Sequence, residues 1–357
     1  MNEIGRASAS LAALAPRIRD AWYVLAMSHE VTARPIVRHL YGTPISVHRA
    51  PDGSVGALLD RCPHRNVPLS GGRVVDGALQ CPYHGWRFET DGRCAAVPGL
   101  DGPADHPARR VQAWRVREQQ GFVWVWGNAE TEPVGEPFRF RYADDGSYLT
   151  VRRELRTRGS VHAVVENALD VPHTAFLHGG LFREDRKDRR PIRCVVERRH
   201  DRVACEFIGE ARPTGIAARI LSPSGGTVTH FDRFYLPSIT EVEYRIGDEN
   251  HILLNGACTP VDDWDTRLYA VVSARTRLPR WLVRMIVQPL ALHIFGQDAV
   301  VLARQADALH AFGEASYAST EIDLLGPHIL RLMTRAARGE PGDPDAAPYV
   351  RETTLLV

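Results

Sequence analysis

The sequence predicts an α+β protein in which an all-β region is followed by a region of longer strands and late helices. Over residues 20 to 128, short apolar segments alternate with turn signals such as Pro51-Asp52-Gly53, which is typical of small antiparallel sheets. From Tyr148 the predicted strands become longer, and the short turns between them favour antiparallel neighbours. The last third is helical in pattern.

The individual elements follow in chain order. We predict the first strands at Pro44–His48, Val55–Leu59 and Phe122–Trp126, a hairpin at Asp91-Gly92, and a linker over 127–137 that is rich in Gly, Pro and Glu. In the second region we predict strands at Tyr148–Leu155, Ile192–Glu197, Val203–Gly209, Thr227–Tyr235, Thr240–Ile246, His251–Thr259 and Leu268–Ser273, and helices at Ser160–Leu169, Pro279–Phe312 and Ser319–Ala337. These elements predict an N-terminal extension over 1–19, domains over 20–128 and 138–340, and a flexible tail over 341–357.

Length and charge restrict the class of protein. A chain of 357 residues is long enough for two domains with their own cores, and a net charge of +1 gives no reason to expect a nucleic-acid partner. Six scattered cysteines do not indicate a secreted disulfide scaffold. The N-terminus lacks a signal-peptide pattern, and the apolar stretch Trp281 to Phe295 is too short and polar to span a membrane. We therefore expect a cytoplasmic protein without a membrane span.

Two short loops carry the strongest chemical signal. Cys62 and His64 lie in Cys-Pro-His-Arg, and Cys81 and His84 lie in Cys-Pro-Tyr-His-Gly-Trp. A Rieske [2Fe-2S] cluster has this ligand set, because two cysteines hold one iron and two histidines hold the other. Structural zinc is the alternative, but zinc fingers usually present a cysteine pair followed by a histidine pair. The order of the ligands therefore favours the iron–sulfur cluster.

A second candidate metal site surrounds Pro172. His173 and His178 are five residues apart, which on one helix would leave them about 140° out of line. Pro172 disfavours helix at Val171 and restarts the chain, so the two rings could still converge. Iron(II) that activates dioxygen is usually held by two histidines and one carboxylate, and the third ligand must come from elsewhere in the chain.

Residues 20–128 resemble the Rieske domain of the Rieske non-heme iron oxygenases. The resemblance includes both ligand loops, the opening Ala-Trp-Tyr-Val and the closing Gly-Phe-Val-Trp-Val-Trp-Gly-Asn. Val67 and Tyr83 stand where the respiratory type has a disulfide, which implies the oxygenase branch. The second region resembles the helix-grip (START-like) catalytic domain of that family, with an antiparallel sheet and a long C-terminal helix. The length is similar to that of the vanillate demethylase and phthalate oxygenase-like branch.

The resemblance implies roles for further residues. It assigns Asp298, in the late helix, as the third ligand of a mononuclear Fe(II), although a surface acid paired with Arg304 remains an alternative. Metal-bound histidines typically donate their second ring N–H to a carboxylate, and Asp170 is placed to accept it from His173. In the family the equivalent acid also contacts a cluster histidine of the neighbouring subunit. Asp170 would then link His84 of one chain to His173 of the next, which implies a head-to-tail ring, most simply a homotrimer.

The predicted function is that of a terminal oxygenase component. It takes electrons from a ferredoxin, a flavin reductase or both, and uses O₂ to hydroxylate or oxidatively demethylate an apolar, aromatic or polycyclic substrate. Asn167 matches a family asparagine near the iron, and Arg65, Tyr83 and Trp86 are expected around the cluster. A cis-dihydroxylating dioxygenase and a Rieske electron-transfer protein with a non-catalytic ligand-binding domain remain alternatives. The charged run 183–190 is either a solvated loop, a lid or a docking site for the donor.

Overall fold

The computed structural model describes residues 6–179, 190–210, 228–247, 250–276 and 279–356. The chain forms two compact units: a small unit of Ile18–Arg139 and Thr259–Asp262, and a large unit of Met1–Arg17, Phe140–Cys258 and Asp263–Val357. Apart from Arg190, the charged run 183–190 lies outside the described residues. Within the described ranges, we find no helix that combines the length and the apolar character needed to span a membrane.

The regular elements are numbered in chain order. The strands are β1 (Arg6–Ser10), β2 (Trp22–Met27), β3 (Ile36–Leu40), β4 (Thr43–Arg49), β5 (Val55–Leu59), β6 (Arg73–Val75), β7 (Ala78–Gln80), β8 (Arg87–Phe88), β9 (Cys94–Ala96), β10 (Val116–Gln119), β11 (Phe122–Trp126), β12 (Leu149–Arg158), β13 (Pro191–Arg198), β14 (Arg202–Ile208), β15 (Val228–Tyr235), β16 (Ile239–Ile246), β17 (Asn250–Pro260), β18 (Asp265–Arg275), β19 (Glu314–Ala318) and β20 (Tyr349–Leu356). The α-helices are α1 (Val161–Ala168), α2 (Thr174–Leu177), α3 (Arg280–Phe312) and α4 (Gly326–Ala337). Short 3-10 helices lie at Leu11–Leu14, Ser28–Glu30, Leu69–Gly71 and Pro107–Arg109.

The small unit is built from three small sheets, in the orders β10-β11-β2, β3-β4-β5 and β6-β7-β8-β9. Every residue of β2 and β11 is buried, and both strands contribute to the first core cluster of this unit. A second core cluster contains Leu69, Leu79 and Phe88 together with Cys62 and Cys81. The two cysteines therefore belong to an apolar cluster. The predicted all-β character of this unit is confirmed.

The large unit is dominated by an eight-stranded sheet in the order β12-β18-β17-β16-β15-β14-β13-β20. Neighbouring strands pair antiparallel from β17 through β13 to β20, and β12 pairs antiparallel with β18. Helix α3 contacts β12, and α4 contacts both β14 and α1. The predicted sheet closed by a long late helix is confirmed.

The last strand corrects the prediction for the C-terminus. A flexible tail over 341–357 is wrong for Tyr349–Leu356, since β20 pairs with the whole length of β13. The Gly- and Pro-rich run before it suggested disorder for the entire tail. The strand is stabilised instead by its neighbour and by Leu355, which is only 3% exposed.

The segment before α4 also differs from the prediction. We predicted one helix over Ser319–Ala337, but β19 ends at Ala318 and the helix begins only at Gly326. Between them, the Asp323 carboxylate accepts a hydrogen bond from the Thr320 N–H at 2.6 Å and holds a turn. Pro327 then starts the helix, because its fixed φ suits the first turn. β19 pairs with β1, so the predicted N-terminal extension contributes a strand to the large unit.

Candidate functional site

The two Cys-His loops of the small unit share one backbone geometry. In each loop the cysteine N–H donates to the carbonyl five residues later, and the N–H four residues later donates back to the cysteine carbonyl. The pairs are Cys62 N to Val67 O at 2.9 Å, Asn66 N to Cys62 O at 2.8 Å, Cys81 N to Trp86 O at 2.7 Å and Gly85 N to Cys81 O at 3.2 Å. The fourth residue of each turn, Asn66 or Gly85, has φ of +62° or +72°, a conformation that Asn and Gly tolerate best.

These turns bring the four predicted ligands together. The rings of His64 and His84 lie 4.5 Å apart between centroids, and both cysteines are buried. Burial raises the pKa of the Cys62 thiol to about 11, with the neighbouring Cys81 adding to the rise, while the His64 and Arg65 backbone N–H groups oppose it. His64 Nδ1 is buried and lacks a hydrogen-bond partner among the described residues. An orphaned imidazole nitrogen beside two buried thiols fits a metal cluster, since a bound iron would satisfy it.

Aromatic side chains surround the histidines, as we predicted. Trp86 stacks on His64 with ring centroids 4.8 Å apart and an interplanar angle of 3°. Tyr83, which is 63% exposed, lies 3.8 Å from His84 between ring centroids. His84 is itself exposed, so this edge of the small unit presents one imidazole to the outside.

The second constellation is built at a helix break in the large unit. Ser160 caps α1 by accepting the Ala163 N–H at 3.3 Å, and the helix ends at Ala168, shortly before Pro172. After the break, α2 runs from Thr174 to Leu177, and His173 and His178 flank it. The chain therefore turns between the two histidines, and their rings come to 5.2 Å between centroids.

Helix α3 brings Asp298 to these histidines. Its Oδ1 lies 3.1 Å from His178 Nε2 and 3.6 Å from His173 Nε2. One ligand atom from each of the three residues lies within 4.8 Å of the others, which suits ligands that are to share one ion. Two imidazoles and one carboxylate are the donor set of non-heme Fe(II) sites with open positions. Asp298 therefore faces the histidines, and Arg304 is exposed elsewhere on the helix.

The electrostatics of this triad favour a positive charge on His173 beside a negative charge on Asp298. Burial lowers the pKa of His173, but hydrogen bonds to Asp170 and Asp298 outweigh burial and raise it to about 9. Burial raises the pKa of Asp298, but His173 and His178 outweigh it and hold the pKa below its ordinary value. Because the Asp298 carboxylate is anionic, a metal cation can take the place of the proton on His173.

Three polar side chains orient the triad. Asp170 Oδ2 accepts from His173, with 3.2 Å to the ring Nδ1 and 3.3 Å to the backbone nitrogen, as the sequence predicts. Asn167 Nδ2 donates to Asp298 Oδ1 at 3.5 Å. Sequence reasoning missed Gln297, whose Oε1 lies 2.8 Å from His178 Nδ1. No local signal reports this contact, because 119 residues separate Gln297 from His178.

Fold and site together define a two-part protein with a Cys₂His₂ loop pair and a separate His₂-carboxylate triad. A family model described as "Rieske [2Fe-2S] domain" matches residues 21–114, and one described as "Vanillate O-demethylase oxygenase C-terminal domain" matches residues 158–339. The second match alone covers half of the chain. The chain therefore belongs to the Rieske-type oxygenase components that share the vanillate O-demethylase C-terminal domain, which confirms the predicted family and enzyme class.

Individual relatives agree with this assignment. The oxygenase component of dicamba O-demethylase from Stenotrophomonas maltophilia is 29% identical over 299 residues, covering 84% of this chain and 78% of the relative. The vanillate O-demethylase oxygenase subunit from Pseudomonas sp. is 30% identical over 180 residues, about half of each chain. A crystal structure of dicamba monooxygenase with non-heme iron and dicamba has a TM-score of 0.73 at 24% identity, covering 91% of this chain and 99% of that one, and shows the same fold.

Proposed function

We propose that His173, His178 and Asp298 bind one Fe(II), that Cys62, His64, Cys81 and His84 bind the [2Fe-2S] cluster, and that the protein inserts oxygen into an organic substrate. The convergence of two imidazoles and a carboxylate within 4.8 Å carries the proposal, because this donor set leaves coordination positions free. The predicted domains, small over 20–128 and catalytic over 138–340, would divide electron entry from oxygen chemistry.

The chain's own residues prepare both sites. When bound, the cluster delivers single electrons and the ferrous ion activates dioxygen. Asp170 fixes the ring of His173 by accepting from its Nδ1, so that Nε2 faces Asp298. Gln297 does the same for His178 by accepting from its Nδ1. Asp298 keeps only 14% of its side chain exposed, which limits competition by water for its oxygens.

The electron path is proposed to run between subunits. Asp170 keeps 35% of its side chain exposed while holding His173, so an incoming group could contact its free side. His84 is exposed on the small unit and would be that group, supplied by a neighbouring copy in a head-to-tail homotrimer. The cluster would be reduced by a ferredoxin, a flavin reductase or both, in the cytoplasm.

The proposed substrate is an apolar, aromatic molecule, and the proposed reaction is hydroxylation or oxidative demethylation. The names of two relatives, dicamba O-demethylase and vanillate O-demethylase, support demethylation of an aromatic ether. Cis-dihydroxylation uses the same ligand set and remains the second candidate. The triad itself argues against the electron-transfer protein with a non-catalytic ligand-binding domain, since a carrier has no need of it.

Iron content and oxygen uptake test the proposal together. We expect about three iron atoms per chain, two in the cluster and one in the triad, with O₂ uptake that depends on an aromatic substrate. His173→Ala should lower the content to about two and abolish uptake, while the cluster spectrum persists. His293→Ala, an exposed histidine on α3, is the matched control. About two iron atoms in the native chain, unchanged by His173→Ala, would instead support a carrier.

A further inference from the structure

A cavity of about 280 Å³ lies beside the triad in the large unit. One wall is formed by Glu166 and Asn167 of α1 and continues to Asp170, and the facing wall is formed by Gln305 of α3 and the segment Ile322 to Gly326. Among the described residues that line it, every charged side chain is an acid: Glu166, Asp170 and Asp323. Three carboxyl groups around one cavity cannot all ionise without mutual repulsion.

Glu166 is the carboxyl group on which this repulsion acts most. Burial, followed by the charges of Asp170 and Asp323, raises the pKa of Glu166 to about 7. Its carboxyl group packs directly against α4, since a Cβ added to Gly326 would lie 1.9 Å from Glu166 Oε1. The side chain is nevertheless 39% exposed, and it lines the cavity. A carboxyl group in this position exchanges a proton near neutral pH while it stays in contact with solvent.

A buried histidine, His162, lies beside Glu166 and faces it. His162 is 3% exposed, and its Nε2 has no hydrogen-bond partner in the part of the chain that the structure describes. That nitrogen points at the cavity acid, at 4.0 Å from Glu166 Oε2. Burial lowers the pKa of His162 to about 4, although a hydrogen bond with the Gly326 backbone opposes the shift. The ring is therefore neutral and can accept a hydrogen bond.

Within one chain, groups from several elements face Glu166. His162 faces it from α1, Asp170 from the helix break, Asp323 from the segment before α4, and Tyr317 from β19. α3 contributes the uncharged Gln305 to the same cavity, and α4 contributes Gly326. The titration of Glu166 is therefore set by two fixed acids and a neutral histidine, with no cation among the described cavity residues.

The cavity is separated from the triad by one layer of side chains. Asn167 lines the cavity and donates to Asp298, and Asp170 lines it and accepts from His173. We propose that Glu166 is a positioning residue that holds protons in this cavity and passes them, through cavity water, toward the His173-His178-Asp298 triad. This inference rests on the proposed oxygenase function and adds the proton supply that the reaction needs.

The proton balance of the reaction defines the step. In a monooxygenation dioxygen takes up two electrons and two protons, one oxygen atom enters the substrate, and the other leaves as water. For each proton delivered, the O–H bond of Glu166 breaks, the proton moves to cavity water, and solvent then returns a proton to the carboxylate. Glu166 is unchanged after each cycle, and the electrons come from the cluster.

The first test uses the full chain with its metals and does not depend on activity. An infrared pH titration of the protein should show a protonated-carboxyl band that disappears between about pH 6 and 8. Glu166→Gln should lose this band, and the matched control Glu340→Gln, at an exposed acid beyond α4, should keep it. Asp323→Asn removes one neighbouring negative charge and should move the midpoint to lower pH. A native protein without the band would overturn the inference.

The second test follows reoxidation of the reduced cluster by O₂ with bound substrate. Glu166→Gln should slow it by about tenfold or more below pH 7 and should abolish the decline that the native enzyme shows as Glu166 loses its proton above that pH. Glu166→Asp should restore part of the rate. A slower variant with the native pH profile would show a structural role only and would refute the inference. A native chain without substrate-dependent O₂ uptake would count against the proposed function, whereas the infrared band would still decide the proton site.

Discussion

His230 offers a quantitative test of the electrostatics of the large unit. It is fully buried on β15 and lies between the rings of Phe207 and Tyr244, at 4.3 and 4.1 Å between centroids. Its Nδ1 lies 2.7 Å from Glu210 Oε2 and its Nε2 2.9 Å from Asp232 Oδ1. Burial alone would lower the pKa of His230, but the two carboxylates outweigh it and raise the pKa to about 9.

The shift from the ordinary pKa of 6.5 to about 9 is worth about 3 kcal/mol of stability. Because the folded-state pKa is raised, this contribution is complete below about pH 6.5 and is lost as the pH rises through about 9. His230→Asn removes it. We therefore expect the free energy of unfolding of the native chain to exceed that of the variant by about 3 kcal/mol more at pH 6 than at pH 9.5.

Amide hydrogen exchange of β15 peptides measures this difference. Native and variant chains are compared at the same pH, so the intrinsic exchange rates cancel, and peptides from β11 serve as the internal reference. The ratio of the native to the variant protection factor in β15 should fall by about a hundredfold between pH 6 and pH 9.5. An equal ratio at both pH values would show that His230 is neutral in the fold and would refute the reasoning.

Three further predictions concern the proposed electron path, a turn of the small unit and the β20 edge of the large sheet. Asp170→Asn should retain both metals but slow cluster reoxidation at least about tenfold, as followed by stopped-flow absorbance, and a native rate would contradict the proposed path. Gly92→Ala should destabilise the small unit by about 2–4 kcal/mol in thermal unfolding, because φ is +86° and the new Cβ would meet the Val111 carbonyl oxygen at 2.0 Å. Gly53→Ala, with φ of +89° and open space around it, should lose only about 1 kcal/mol. Ending the chain after Pro348 should expose β13 and cause self-association in sedimentation velocity, whereas a chain ending at Leu356 should remain unchanged.

Local signals predicted the elements that depend on local sequence. Val55–Leu59 and Phe122–Trp126 agree with β5 and β11 to the residue, because each is a short apolar run closed by turn residues. The late elements were harder. β20 owes its conformation to pairing with β13, about 150 residues earlier in the chain, and no local pattern reports such a partner. The helix over Ser319–Ala337 was placed too early because the turn held by Asp323 has ordinary helix-forming neighbours.

In the candidate sites too, local sequence predicted what depends on local structure, and it did not predict contacts between distant parts of the chain. Each Cys-His loop is a single turn, so its ligands could be read from spacing alone. Asp298 came from the family resemblance, because its approach to His173 and His178 depends on how α3 packs and not on any local motif. Gln297 was missed for this reason, since 119 residues separate it from His178. The cavity acids Glu166 and Asp323 meet only through the packing of α1 against the segment before α4.

The outermost strand β12 of the large sheet is rich in arginine. It carries Arg152, Arg153, Arg156 and Arg158 beside a single acid, Glu154. Two copies of β12 placed side by side would bring guanidinium groups opposite one another, which opposes pairing. Growth of the sheet from one molecule into the next is thereby discouraged at this arginine-rich edge, where neighbouring molecules would meet through side-chain surfaces instead of through a shared backbone ladder.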